Sequence, residues 1–76
     1  MNLTQLKAGE EGVFVDVQGG RGIMQRLEAM GITAGVKIKK VSTQLLHGPV
    51  LIQMGSTQMA IGFGMAKKMI VEKIKA

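Results

Sequence analysis

The chain of 76 residues contains no cysteine, tryptophan or tyrosine, and only two phenylalanines, one proline and one histidine. The lack of cysteine excludes a disulfide framework, a thiolate nucleophile and a Cys-ligated metal, and it fits a cytoplasmic location. The scarcity of aromatic residues leaves few platforms on which single-stranded nucleic acid could stack its bases. Acid is scarce as well. Five Asp and Glu stand against ten Lys and Arg, a net charge of +5, which draws the chain toward anionic nucleic acid, lipid headgroups or an acidic protein face. The 26 residues from Val41 to Ala66 carry no Asp, Glu, Lys or Arg at all. They contain Gly48-Pro49, further glycines and many Ser, Thr and Gln, so they cannot form a bilayer-spanning helix. No direct membrane insertion is expected. Met1 to Lys7 also lacks the basic segment and apolar run of a secretory signal.

What remains is 46% hydrophobic residues, enough to close one small core without staples and too short a chain for two, so a single domain over 1–76 is expected. Leu3 and Leu6 are spaced for one short helical turn. Val13 to Gln18 reads as a first strand, with Val13, Val15 and Val17 on one face and Asp16 and Gln18 on the other. After Gly19-Gly20, Ile23, Leu27 and Met30 recur at helical spacing from Arg21 to Met30, with Gly31 where a left-handed cap belongs. A second strand runs from Val36 to about Val41, with Val36 and Ile38 inward and Lys37 and Lys39 outward. Lys40 then falls on the inward parity, as a bulge would produce.

Val50–Met54 and Thr57–Phe63 form a hairpin across Gly55-Ser56, a two-residue connection with glycine first, as a type II′ turn requires. The register pairs Met54 with Thr57, Ile52 with Met59 and Val50 with Ile61 on the core side, and Gln53 with Gln58 and Leu51 with Ala60 on the other. Met65 to Lys68 makes a turn, and Ile70–Ile74 is a last strand. The expected class is mainly β, a small SH3-like barrel of about five strands with one helix inserted after the first strand.

Candidate chemistry is thin. A nucleophile needs a base within reach, and His47 is the single histidine, so no triad is visible. The one adjacent acidic pair, Glu10-Glu11, falls in a turn that solvates both. No enzyme activity, no cofactor and no metal site are expected, and His47 reads as an exposed turn residue. Met24, Met30, Met54 and Met59 read as core filling. Gly19-Gly20-Arg21-Gly22 lacks the lysine and flanking strands of a phosphate loop. Lys37, Lys39, Lys40, Lys67, Lys68, Lys73 and Lys75 make the case for a nucleic-acid binder, which the missing aromatics weaken.

From Leu3 to Val71 the ordered residues resemble the ferrous-iron-transport protein A family, the FeoA-like proteins. The likeness runs through Leu3, Leu6, Gly9, Gly12 and Gly19-Gly20. It continues through Arg26-Leu27, Met30-Gly31-Ile32 and Gly35, then Gly48-Pro49, Ile52, Ala60-Ile61-Gly62, Ala66 and Val71. Ala34, Met69 and Phe63-Gly64 depart from the usual family residues. The resemblance implies an SH3-like barrel in the bacterial cytosol that assists a membrane Fe(II) permease carrying a cytosolic GTPase domain.

Contact with that permease, or self-association, is expected at the charge-free hairpin, at Phe63 with Met65 and Met69, and at the helix end with Arg26, Leu27 and Met30. Each place also has a plain structural reading. Leu27 and Met30 can be core, the hairpin can be paired on both edges, and Phe63 can fold inward. The alternative class is a regulatory or nucleic-acid-binding module that uses the basic face, ranked below protein docking.

Overall fold

A computed structural model of the chain describes residues 1–42 and 45–75. The 3₁₀ turn Leu3–Gln5 comes first, followed by β1 (Glu11–Val17), α1 (Arg21–Ala29), β2 (Lys37–Lys40), β3 (Val50–Met54), β4 (Thr57–Ile61), α2 (Phe63–Ala66) and β5 (Met69–Lys73). The five strands form one antiparallel sheet in the order β4-β3-β2-β1-β5. The expected five-stranded SH3-like architecture is present, but as an open sheet, with β4 and β5 as its edges.

Local chemistry explains the elements. Asn2 caps the 3₁₀ turn: its side chain accepts from the Thr4 N–H at 2.9 Å, and the Gln5 side chain accepts from the Asn2 N–H at 2.8 Å, a reciprocal capping box. α1 ends in a Schellman arrangement. Ile32 N–H reaches the Leu27 carbonyl and Gly31 N–H the Glu28 carbonyl, both at 2.9 Å. Gly31 has φ +87, and Leu27 and Ile32 are both fully buried. This is the apolar contact that accompanies the motif. The β3–β4 hairpin has all five expected pairs in register, and Gly55 at φ +59 makes the connection.

The core gathers Leu3, Leu6, Phe14, Leu27, Ile32, Ile38, Val50, Ile52, Ile61, Ala66, Met69 and Val71, with Met24, Met30, Met54, Met59 and Met65 partly buried against it. Two expectations fail here. On β1 the inward residues are Gly12, Phe14 and Val17, whereas Val15 is 42% exposed. The pairing with β5 slips between Phe14 and Asp16, and this one-residue bulge reverses the parity along the strand. Of the three valines only Val17, beyond the bulge, therefore points inward, and before it the large aromatic Phe14 is the core residue.

The second failure is at Lys40. It is not displaced by a bulge but points inward and is only 2% exposed. Its Nζ donates to the Leu6 carbonyl at 2.6 Å and the Thr4 carbonyl at 3.0 Å, so a charged group closes the end of the N-terminal turn and its buried donors find partners. Backbone bonds from Gly9 N–H to the Lys40 carbonyl and from Lys40 N–H to the Glu10 carbonyl hold the same clasp. Burial lowers the Lys40 pKa, and Glu10 acts in the opposite direction. Glu10 itself pairs with Lys73; that hydrogen bond, with the Lys7 N–H, lowers its carboxyl pKa.

Candidate interaction surface

The segment expected to be a turn after β4 is the one-turn helix α2, so Phe63 stands at a helix start and is half-buried. Its ring stacks on His47, with centroids 4.5 Å apart and planes 7° from parallel. Lys67 Nζ lies 5.8 Å from the centre of the same ring, a cation–π distance. His47 is the exposed turn residue expected, and its stack on Phe63 also ties the β2–β3 connection to α2. Nothing in the spacing of residues 47 and 63 signals this contact.

The other expected contact residues divide. Arg26 is exposed, and Met30 and Met65 are partly buried. Leu27 and Met69 are fully enclosed, so neither is available to touch a partner, and both are corrected to core residues. Leu27 anchors the α1 cap, and Met69 opens β5. Phe63 and Met65 share α2, while Arg26 and Met30 belong to the end of α1.

Leu45 and Leu46 escape a reading of the sequence. They are 82% and 99% exposed, two adjacent apolar side chains given to solvent. Their turn is closed by a bond from Gly48 N–H to the Leu45 carbonyl at 2.8 Å. A Cβ on Gly48 would stand 2.9 Å from that oxygen, so only glycine fits there. Leu46 and His47 both take positive φ, +48 and +62, a conformation that costs ordinary residues about 1 kcal/mol or more. The signal available beforehand is the Leu-Leu pair beside His47-Gly48-Pro49 in a stretch without charge.

β4 contributes an edge. Two-residue hairpin geometry turns the Thr57, Met59 and Ile61 backbone groups toward β3, and alternation turns those of Gln58 and Ala60 outward. Among the described residues no backbone bond covers this side. The opposite edge is different: β5 is bridged at Ile70 by Asn2, and Val71 N–H reaches the Met1 carbonyl at 2.8 Å.

The basic residues do not form one unbroken face. Of the seven lysines expected to carry nucleic-acid binding, Lys40 is buried, Lys37 pairs with Glu11 at 3.6 Å and Lys73 pairs with Glu10. A hollow of about 500 Å³ lined by Gly9, Glu10, Lys73 and Lys75 and another of about 240 Å³ beside Glu11, Lys37 and Gln53 have paired charges in their walls. Among the described residues no three His, Asp or Glu side chains gather as metal ligands would. No helix among them is long and apolar enough to cross a membrane.

The five-stranded open sheet with its short helices defines a small SH3-like domain. The chain belongs to the FeoA domain family, whose model matches residues 1–73. A protein of Methanocaldococcus jannaschii provisionally named Fe(2+) transport protein A is 44% identical over 66 residues, covering 87% of this chain and 78% of that one. A crystal structure of an iron uptake regulatory protein, FeoA, superposes with a TM-score of 0.87 at 32% identity, covering 97% of each chain. The zinc complex of Stenotrophomonas maltophilia FeoA superposes with a TM-score of 0.79 at 28% identity, over 95% of this chain and 89% of that one. That protein is described as a prokaryotic SH3-domain protein and a candidate ferrous iron transport activating factor. Membership places this chain in a family of ferrous-iron transport.

Proposed function

We propose that this protein is a cytoplasmic accessory of bacterial ferrous-iron uptake that acts without catalysis, by docking to the cytosolic GTPase-bearing region of an Fe(II) permease. Family membership and the activating role suggested for the Stenotrophomonas relative support this reading. The observation that carries it is the open β4 edge, uncharged from Thr57 to Ile61, which runs into the half-buried Phe63. An edge without charged gatekeepers accepts an added strand, and an adjacent aromatic gives the added strand an anchor.

Binding of the purified chain to the permease's cytosolic region, measured by interferometry, tests it. Ala60 is exposed and its N–H faces away from β3, so Ala60→Pro removes one outward donor at a position an edge strand tolerates. Ala60→Pro and Phe63→Ala should each weaken binding at least about tenfold, the loss expected for removing a well-placed contact. Undiminished binding by both folded variants would exclude this face. Sedimentation of the chain alone separates permease docking from pairing of two β4 edges.

A further inference from the structure

The turn at Leu45 and Leu46 is not used by the edge just described. Its two leucines cannot be explained as core, since both side chains stand almost wholly in solvent. Their outward position is also fixed rather than incidental. The Gly48–Leu45 bond closes the turn, and the His47 ring is seated on Phe63. Falling back onto the core would require undoing both.

The stretch of chain that carries this tip has one sign of charge. From Ala29 to Val71, 43 consecutive residues include no Asp or Glu but five lysines. Of these, Lys67 follows α2 and forms no ion pair among the described residues, whereas the Lys68 stem lies beside Gly19. Lys67 is placed at the tip by its contact with Phe63, whose other partner is His47. A protruding apolar pair with a free cation near its base is an arrangement with which peripheral proteins engage an anionic bilayer: apolar side chains enter the headgroup boundary and the ammonium meets lipid phosphates. A nucleic acid would have to unstack a base step to admit a leucine, at a cost of about a few kcal/mol that the bilayer interface does not impose. A protein partner needs a hollow matched to two adjacent side chains, whereas the bilayer interface accepts a convex tip without one.

We propose that the 45–48 turn is a membrane-surface wedge, with Leu45 and Leu46 entering an anionic bilayer and Lys67 holding its headgroups. This revises the expectation of no direct membrane insertion. That expectation came from the lack of a spanning segment, and a wedge requires none.

Vesicle co-sedimentation tests the wedge independently of any permease. The full chain is mixed with phosphatidylcholine vesicles, alone or with about 30% phosphatidylglycerol, at low and at physiological salt. The expected result is binding to the anionic vesicles, weakened by salt, and little binding to the neutral ones. Leu45→Ser/Leu46→Ser should reduce it at least about tenfold, and Lys67→Gln about fivefold, the loss expected for one lysine at an anionic surface. Because the chain has no tryptophan, Leu46→Trp supplies a single fluorescent reporter whose emission should shift to the blue on anionic vesicles.

Three results would overturn the wedge: no binding to anionic vesicles; a leucine variant that binds as well as the parent, which is electrostatic adsorption alone; or indole emission of the Leu46→Trp variant that keeps its value in water when vesicles are bound. Failure on vesicles with loss of permease binding by the leucine variant would make the tip a protein contact instead.

Discussion

The clasp around Lys40 and the arm from Leu45 to Phe63 treat their polar and apolar groups in opposite ways. In the clasp a buried ammonium satisfies two carbonyls, Glu10 is paired with Lys73, and Leu3 and Leu6 are enclosed. In the arm two leucines are exposed, one strand edge is unpaired, and an aromatic residue is covered on one side by a histidine. The clasp completes its interactions inside the chain, whereas the arm leaves them open to other molecules. A chain this small has little stability to spare, so the difference indicates where folding is secured and where contact is offered.

The comparison can be tested from its largest expected effect downward. Leu27→Ala sets the scale: as a core truncation it should cost about 3 kcal/mol in urea unfolding. A loss of permease binding by a variant of undiminished stability would instead return Leu27 to the surface.

Lys40→Ala should cost about 2 kcal/mol, because it removes the hydrogen bonds that Lys40 gives to the Leu6 and Thr4 carbonyls, together with a buried stem. A neutral result would show that the clasp does not secure the fold. Its pH dependence has a definite sign. Burial lowers the folded-state pKa below the ordinary 10.5, so between those two values the unfolded chain binds more protons. The stability of the parent relative to Lys40→Met should therefore rise as pH approaches 10.5. A difference that stays level would contradict a buried ammonium.

Phe63→Ala should cost about 1 kcal/mol, mainly through the His47 stack, while the effect on docking is larger. Glu10→Gln acts through pH. The folded carboxyl titrates below its ordinary 4.5, so its contribution is present above that value and disappears as pH falls through the folded one. The variant should lack this part of the acid-side loss, which parallel unfolding curves would detect. Leu45→Ser/Leu46→Ser should change stability by no more than about 0.5 kcal/mol, since neither side chain is buried. A clear loss of melting temperature would mean that the tip is part of the fold after all.

How much is legible beforehand differs between these regions for physical reasons. The hairpin register is legible because Gly55-Ser56 fixes the turn and strict alternation fixes the faces. The cap of α1 is legible because Gly31 marks it. Lys40 is easily misread because a lysine on an inward position has no local meaning without the two carbonyls that receive it, which belong to residues 34 and 36 positions earlier. Phe14 is hidden because the bulge that reverses β1 arises from its pairing with β5, not from β1 itself.

The sequence by itself determined the order of the five strands and α1, the charge balance and the one hairpin, all consequences of residue type and short-range spacing, and its resemblance to the FeoA-like proteins pointed to the family. The tertiary structure decided which residues are surface. It enclosed Leu27 and Met69, seated His47 on Phe63, and left Leu45 and Leu46 in solvent. Burial depends on which distant segments meet, and periodicity within a segment does not contain that information.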